Sequence, residues 1–237
     1  MANSYFKFKQ FTINQENCAM KVCTDACILG AWFAAKIPQH ATVLDIGSGT
    51  GLLMMMLAQR SQTEIHGIEI DPTAYKQLQE NTSQNNWKQR LKVFAGDARS
   101  YHFPLKYDFI ITNPPFFEND LLSTDNREQI AKHSKHLTLE ALVEVIATNL
   151  QPHGAFGILL PYHRWEAFNK LATQQGFSLT EKLIVRHTPK HAPFRAILHY
   201  TRNQHHFAPD LELNIKIENG DYTPEFVELL KDYYLYL

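Results

Sequence analysis

Cysteine is scarce in this sequence and badly spaced for metal binding or disulfides. The chain of 237 residues has three cysteines, Cys18, Cys23 and Cys27. Their number is odd, no two form a CxxC pair, and no second cluster accompanies them, which disfavours both a structural zinc site and a disulfide framework. We therefore expect three reduced, partly buried thiols and no metal.

The sequence also lacks a long apolar run and an excess of charge of either sign. No window approaches the roughly 18 apolar residues of a membrane span, and no signal-type segment opens the chain, so we expect a cytoplasmic protein without a membrane partner. The net charge is −1. Any nucleic-acid partner would therefore be held by a local patch rather than by a globally basic surface.

What is present predicts one α/β domain. The length and 44% hydrophobic content are ample for a single core. Strand-like and helix-like segments alternate, which favours right-handed crossovers and a doubly wound, mostly parallel sheet of seven strands. The predicted strands are 42–46, 64–70, 92–95, 107–112, 154–160, 178–187 and 194–202. The predicted helices are one from Thr24 or Asp25 to before Pro38, then 52–59, 72–86, 138–150, 163–175 and 224–234.

Polar groups follow four of the predicted strands. Asp45 and the glycine turn close the first strand, and Glu69, Asp97 and Asn113 close the next three. Because ligands of such sheets bind at the carboxyl ends of the strands, we expect these groups to meet in one crevice.

The first three groups predict a nucleoside ligand with a charged tail. The turn Gly47-Ser48-Gly49-Thr50-Gly51 lets the backbone approach a ligand and is expected to expose N–H groups at a helix start. Asp45 can hold a cationic group but would repel the pyrophosphate of a dinucleotide. Glu69 lies 18 residues after Gly51, where a carboxylate can accept both ribose hydroxyls, and Asp97 can accept from an adenine NH₂.

Asn113-Pro114-Pro115-Phe116 forms a rigid corner after the fourth of these strands. Two successive prolines remove two N–H donors, so their carbonyls and the Asn113 side chain are directed acceptors for a flat group that carries an NH₂. Asn-Pro and Pro-Pro are also common loop punctuators, so an ordinary turn remains the alternative for this segment on its own.

Taken in order, these segments resemble the class I S-adenosylmethionine-dependent methyltransferases. VLDIGSGTG, IEID, GDA and NPPF match the four motifs of that superfamily, in which [ND]PP[YFW] marks enzymes that methylate amino groups. The N-terminal segments FKQF, CAMKVCTD and LGAW are similar to the opening of the bacterial tRNA1(Val) (adenine(37)-N6)-methyltransferase family. Two departures are Cys23, where that family has Gly, and the segment around Arg195, where it has more arginine.

The resemblance implies S-adenosyl-L-methionine as cofactor and the N6 of adenine 37 in the tRNA anticodon loop as methyl acceptor. It implies that residues 1–40 cover the cofactor site and that 41–237 form the methyltransferase domain with a substrate loop at 116–137. The implied catalytic residues are Asn113, Pro114, Pro115 and Phe116. The implied cofactor-binding residues are Gln10, Lys21, Thr24, Asp45, Gly47, Gly49, Gly51, Glu69, Ile70, Asp97, Ala98 and Asn113.

A local basic segment is the expected RNA surface. The 25 residues from Lys182 to His206 contain five Lys or Arg, five His and no acid. A solvated face is the alternative for any single cation in it. The predicted RNA-binding residues are Arg127, Lys132, Lys135, Arg186, Lys190 and Arg195. We expect tRNA to be the partner, with the enzyme acting as a monomer.

Three other functions remain to be weighed. Glutamine N5 methylation of a protein would suit the same corner, but those enzymes carry an N-terminal helical domain and only about 40 residues precede the first strand of the sheet here. The NPPF motif does not exclude N2-guanine methylation of ribosomal RNA. A non-catalytic binding module is disfavoured because Asp45, Glu69, Asp97 and Asn113 are all intact.

Overall fold

The computed structural model describes residues 3–18, 20–115, 137–202 and 210–237. These residues form ten strands and six α-helices. The strands are β1 (Tyr5–Lys7), β2 (Thr12–Asn14), β3 (Thr42–Ile46), β4 (Glu64–Glu69), β5 (Leu91–Ala95), β6 (Tyr107–Thr112), β7 (Leu150–Pro161), β8 (Phe177–Arg186), β9 (Arg195–Arg202) and β10 (Asp210–Asn214). The helices are α1 (Thr24–Ala34), α2 (Leu52–Arg60), α3 (Pro72–Ser83), α4 (Leu139–Asn149), α5 (Trp165–Gln174) and α6 (Pro224–Leu230).

Eight of the strands that the structure describes form one sheet in the order β10-β8-β9-β7-β6-β3-β4-β5. Every neighbouring pair is parallel except the two that include β9, which runs antiparallel to β7 and β8. The predicted doubly wound, mostly parallel fold is confirmed. The sheet has one strand more than predicted, because β10 adds to the edge formed by β8.

The core lies on both faces of this sheet. Consecutive strand residues point to opposite faces, so Val43 and Leu44 enter two different apolar clusters. The first cluster holds α1, α2 and α6, and the second holds α4 and α5. Helices therefore cover both faces and leave the carboxyl edge of the parallel strands open for a site.

Helix α1 starts differently from the prediction. Thr24 or Asp25 was expected to cap it, but the N-cap residue is Cys23, whose side chain makes no capping bond. Asp25 instead points its carboxylate at Arg195, with Oδ2 accepting from the guanidinium Nε at 2.6 Å. The carboxylate that was expected to cap the helix thus ties the helix start to strand β9.

The N-terminal residues pack beside the C-terminus. Strands β1 and β2 form an antiparallel hairpin of their own, and Phe8 pairs with Tyr234. Phe8 and Phe11 stack at 4.5 Å between ring centroids. Within the described ranges, no helix combines the length and apolar character needed to cross a membrane.

Candidate active site

A cavity of about 260 Å³ opens at the carboxyl edge of β3, β4, β5 and β6. All four predicted strand ends contribute to its wall, as expected for a doubly wound sheet. Its lining residues are Cys18, Met20, Ile46, Gly47, Gly49, Ile68, Glu69, Ile70, Asp71, Ala74, Gly96, Asp97, Ala98, Arg99, Thr112, Asn113, Pro114, Pro115 and Leu137.

The glycine turn shapes this cavity but keeps most of its donors for the protein. Gly47 and Gly49 have φ angles of 73° and 52°, which favour glycine, and a Cβ at either position would meet nothing within 4 Å. The N–H groups of Gly47 and Ser48 donate to the Ile68 carbonyl, and that of Gly51 donates to the Ser48 carbonyl. The expectation of N–H groups free for a ligand is therefore wrong for these residues, and the turn offers open space instead.

Glu69 holds the turn in place. This buried carboxylate accepts from the N–H of Gly49 and from the N–H of Asp71, both at 2.9 Å. The two bonds fix both oxygens at the cavity wall, and each oxygen keeps further acceptor capacity. The arrangement suits the predicted role of accepting the hydroxyls of a ribose.

Asp97 meets the cavity as an ion pair. Arg99 binds its carboxylate in two-pronged fashion, with the guanidinium Nη2 at 2.6 Å from Oδ2 and Nε at 3.0 Å from Oδ1. These bonds hold the pKa of Asp97 below its ordinary value. Arg99 lines the same cavity, so the guanidinium, which the sequence reasoning missed, belongs to the site.

Asp45 lies behind the glycine turn and outside the cavity lining. It is fully buried, and the nearby Ser48 hydroxyl donates to the Asp45 backbone carbonyl rather than to the carboxylate. Neither carboxylate oxygen has a hydrogen-bond partner among the described residues. Burial raises the pKa of Asp45 to about 8. A cationic group brought near would therefore favour the ionised form.

Asn113 presents an unused acceptor at the end of β6. Its Oδ1 is buried and has no hydrogen-bond partner in the part of the chain that the structure describes. Its Nδ2 lies 3.9 Å from the sulfur of Met20, which turns the amide so that the oxygen is left for another donor. Pro114 and Pro115 follow it in the cavity wall and carry no N–H to satisfy that oxygen. The corner can accept from a bound NH₂ group.

Besides Asp45, four of the predicted cofactor residues lie outside the cavity lining. Gln10 and Lys21 are exposed, and neither they nor Thr24 belong to the lining of this cavity. Gly51 is the N-cap of α2, where an added Cβ would come within 2.8 Å of Leu78. The absence of a side chain at Gly51 therefore allows close packing against Leu78. Phe116, Arg127, Lys132 and Lys135 lie outside the described residues.

The three predicted RNA-binding cations that are described all contact carboxylates. Arg186 pairs with Glu212, Lys190 with Glu218, and Arg195 with Asp25. The sequence run without acid therefore folds against acids from other segments, since Glu212 and Glu218 come from beyond it. No group of three or more metal-ligating side chains is found in the described ranges.

The N-terminal segment supplies wall residues that the sequence reasoning missed. Cys18 and Met20 line the cavity beside Asn113, although nothing in their chemistry marks them as site residues. Burial raises the pKa of Cys18 to about 11, so its thiol is neutral at pH 7. Their position was predictable only as part of the segment expected to cover the site.

Comparison with known proteins identifies the family. The model of the methyltransferase small domain matches residues 26–178. A tRNA1(Val) (adenine(37)-N6)-methyltransferase from Dyadobacter fermentans is 42% identical over 98% of this chain and 98% of its own. The chain belongs to this methyltransferase family. A Bacteroides fragilis protein of the same name is 35% identical over 99% of both chains.

Solved structures agree on the fold. A predicted O-methyltransferase from Agrobacterium tumefaciens superposes with a TM-score of 0.69 over 88% of this chain and 96% of its own, at 13% identity. At that identity the likeness concerns the fold alone. The family and the class I methyltransferase fold expected from the sequence are both confirmed.

Proposed function

We propose that this enzyme transfers a methyl group from S-adenosylmethionine to the N6 amino group of adenine 37 in tRNA1(Val). The observation that carries the proposal is the buried Oδ1 of Asn113, which has no partner among the described residues and lies in the wall of the cavity at the strand edge. A buried acceptor of this kind is costly unless a ligand satisfies it. The names of the methyltransferase relatives supply the matching acceptor, an adenine NH₂.

The cavity residues fit the cofactor. Gly47 and Gly49 leave room against the backbone, Glu69 offers acceptors for ribose hydroxyls, and Asp97 with Ala98 and Ile70 forms the far wall for the adenine. Cys18 and Met20 would close the site from the N-terminal segment, which supports the proposal that residues 1–40 cover it. Gln10, Lys21 and Thr24 stay predictions without a contact to this cavity.

Bound there, S-adenosylmethionine supplies an electrophilic methyl group on a sulfonium. The residues of the chain must aim a poor nucleophile at it, because the lone pair of an aryl amine is delocalised into the ring. Asn113 Oδ1 and the Pro114 carbonyl each accept one N6 hydrogen, which draws the nitrogen toward tetrahedral geometry. S-adenosylmethionine held in this cavity would supply the methyl group to that nitrogen and leave as the thioether, and the nitrogen would lose its proton to solvent.

Positioning is the larger contribution to rate. Holding two reactants in line supplies roughly 7 to 11 kcal/mol, whereas one buried hydrogen bond left unmade costs about 1 to 3 kcal/mol. No general base with a shifted pKa is needed, since the proton leaves after methyl transfer. Phe116 is proposed to stack on the base and hold its plane.

The substrate surface is proposed to include the predicted cations. Arg127, Lys132 and Lys135 belong to the proposed substrate loop at 116–137. Arg186 ends β8, Lys190 follows it, and Arg195 begins β9. Ion pairing of the latter three with carboxylates means that RNA would have to compete for them. We further propose that the enzyme acts as a monomer in the cytoplasm, where its tRNA is found.

Methyl transfer from tritiated S-adenosylmethionine tests the function. The acceptors are bulk tRNA, ribosomal RNA and a release factor, and the labelled product is digested to nucleosides. We expect label in tRNA as N6-methyladenosine, and none in a tRNA1(Val) transcript with guanine at position 37. Label in ribosomal RNA as N2-methylguanosine, or in the release factor as methylglutamine, would contradict the proposal.

A further inference from the structure

A second cavity lies beside the first at the same edge of the sheet. It measures about 380 Å³ and is lined by Thr24, Asp25, His187, Thr188, Phe194, Ile215, Lys216 and Tyr222. None of these residues lines the cofactor cavity. His187 follows the carboxyl end of β8 and Ile215 follows that of β10, and both strands run in the same direction as β6, which ends at Asn113.

Three of the eight residues that line this cavity, His187, Phe194 and Tyr222, carry aromatic rings. The exposed imidazole of His187 stacks on the half-buried ring of Phe194, with centroids 4.1 Å apart and planes within 7°. Tyr222 is 40% exposed, and the Lys216 ammonium lies 5.3 Å from its ring centroid. Exposed rings with a nearby cation are the usual means of holding an unpaired base in a single-stranded segment.

The charges in the wall favour a base over a phosphate. Asp25 is buried at the cavity, and its oxygens accept from Arg195 Nε at 2.6 Å and from the Ala26 N–H at 3.1 Å. Paired with Arg195, this carboxylate presents no net charge to a phosphate, but it can still accept from the N–H edge of a base. The ring stack, rather than the paired cations, is therefore the recognition element.

The two cavities are close enough for one RNA strand to reach both. Met20 lines the first and Thr24 the second, and four extended residues span at most about 14 Å. The loop that carries the ring stack is also fixed to the sheet edge, because the N–H of Tyr162, next after β7, donates to the Phe194 carbonyl at 3.1 Å. A base held at Asn113 therefore has its neighbours within reach of the second cavity.

We propose that the second cavity binds an unpaired nucleobase of the substrate RNA, from a nucleotide that flanks the methylated adenine. This inference rests on the proposed function and adds to it a site for sequence context. The His187–Phe194 stack provides the platform, and Tyr222 and Lys216 form the opposite side.

Substitution of His187 tests the site, because this ring is exposed and its removal leaves the core intact. The RNA is an anticodon stem-loop with adenine at position 37. His187→Ala is expected to raise both the Kd and the KM for this RNA about five- to tenfold, in the range of one lost stacking contact. The kcat and the affinity for S-adenosylmethionine stay unchanged, and His187→Phe, which keeps a ring, restores binding.

The matched control is His153→Ala, an exposed histidine near the amino end of β7, at the opposite edge of the sheet. It should leave every value at the wild-type level. An abasic nucleotide at the flanking position that enters the cavity should weaken binding to the wild type as much as His187→Ala does, and weaken His187→Ala no further.

Two results would overturn the inference while the proposed function stands. One is a His187→Ala enzyme with wild-type Kd and KM for the stem-loop. The other is full additivity of His187→Ala with abasic substitution at every flanking position. A wild-type enzyme that methylates neither the stem-loop nor full-length tRNA1(Val) would instead refute the proposed function itself.

Discussion

Several buried side-chain polar atoms have no hydrogen-bond partner among the described residues, and those of Asp45 and Asn113 lie at the ends of β3 and β6. Folded proteins satisfy most such atoms, so each exception calls for an explanation. Asn113 faces the cavity and fits a donor from the substrate. Asp45 lies one layer behind, where burial favours its neutral form until a cation arrives. Both residues therefore lower the stability of the free protein, and a bound ligand would supply the partners that they lack.

The Asp45 pKa predicts a pH-dependent cost. Since its folded-state pKa of about 8 exceeds the ordinary value of 3.8, the folded state keeps between these two pH values a proton that the unfolded state has lost. Stability is lost as pH rises through that window. Urea unfolding should show that the free energy of unfolding of Asp45→Asn, relative to that of the wild type, rises with pH between pH 5 and 7. The rise should be up to about 1.4 kcal/mol per pH unit.

Taking the difference between the unfolding free energies of the two proteins removes the contributions of other titrating groups, including the buried His66. Asp221→Asn, which changes an exposed carboxylate of the same type, is the matched control. Parallel curves for Asp45→Asn and the wild type would show that Asp45 is ionised in the free enzyme, against this account.

At the scale of single elements, close packing of α1 on the sheet positions the N-terminal wall of the cofactor cavity. Gly157 on β7 meets the Phe33 ring of α1, and a Cβ there would lie 2.2 Å from Phe33 Cε2. Phe33 is fully buried and contacts Trp32 and Phe109 as well, so it has little room to move. The glycine thus sets how closely the helix can approach β7.

Gly157→Ala should lower the free energy of unfolding by about 1 to 3 kcal/mol, the usual cost of overpacking. Denaturant unfolding measures it. Phe33→Leu offers the test of cause, because a smaller side chain makes room for the new methyl group. The loss from Gly157→Ala should shrink in the Phe33→Leu background. Equal losses in both backgrounds would mean that Phe33 is not the obstacle.

Local patterns allowed most elements to be predicted, and the failures have physical causes. The strand β6 was predicted residue for residue, because Tyr107 to Thr112 is an apolar run that ends at Asn-Pro. The strand β10 was missed, because three of its five residues are exposed and its pairing with β8 is a long-range contact. Tertiary contacts of this kind leave no trace in a short polar segment.

The same distinction holds for the site. Gly47, Glu69, Asp97 and Asn113 could be placed together because each ends a parallel strand. The Arg99 bond to Asp97 and the Arg195 bond to Asp25 depend on side-chain geometry that no spacing records. The run from Lys182 to His206 contains no acid in sequence. In the fold, however, Glu212 and Glu218 form ion pairs with two of its cations, so the run is not a purely basic surface.

At the scale of the whole molecule, the two cavities and the Asn113 corner share one edge of an eight-stranded sheet in the described structure. The chain has a net charge of −1. Electrostatic attraction alone would therefore hold RNA weakly, and we expect recognition to depend on shape and stacking at that edge. The central claim is that Asn113 takes the adenine amino group there.

Replacement of Asn113 measures this claim most directly. The variant Asn113→Ala and the control Asn86→Ala, an exposed asparagine three residues after the end of α3, are compared for S-adenosylmethionine affinity and for single-turnover methylation of the anticodon stem-loop. We predict that Asn113→Ala binds the cofactor nearly as the wild type does and loses about 100-fold or more in methylation rate, as when one transition-state hydrogen bond is removed. Near-normal methylation by Asn113→Ala would contradict the account.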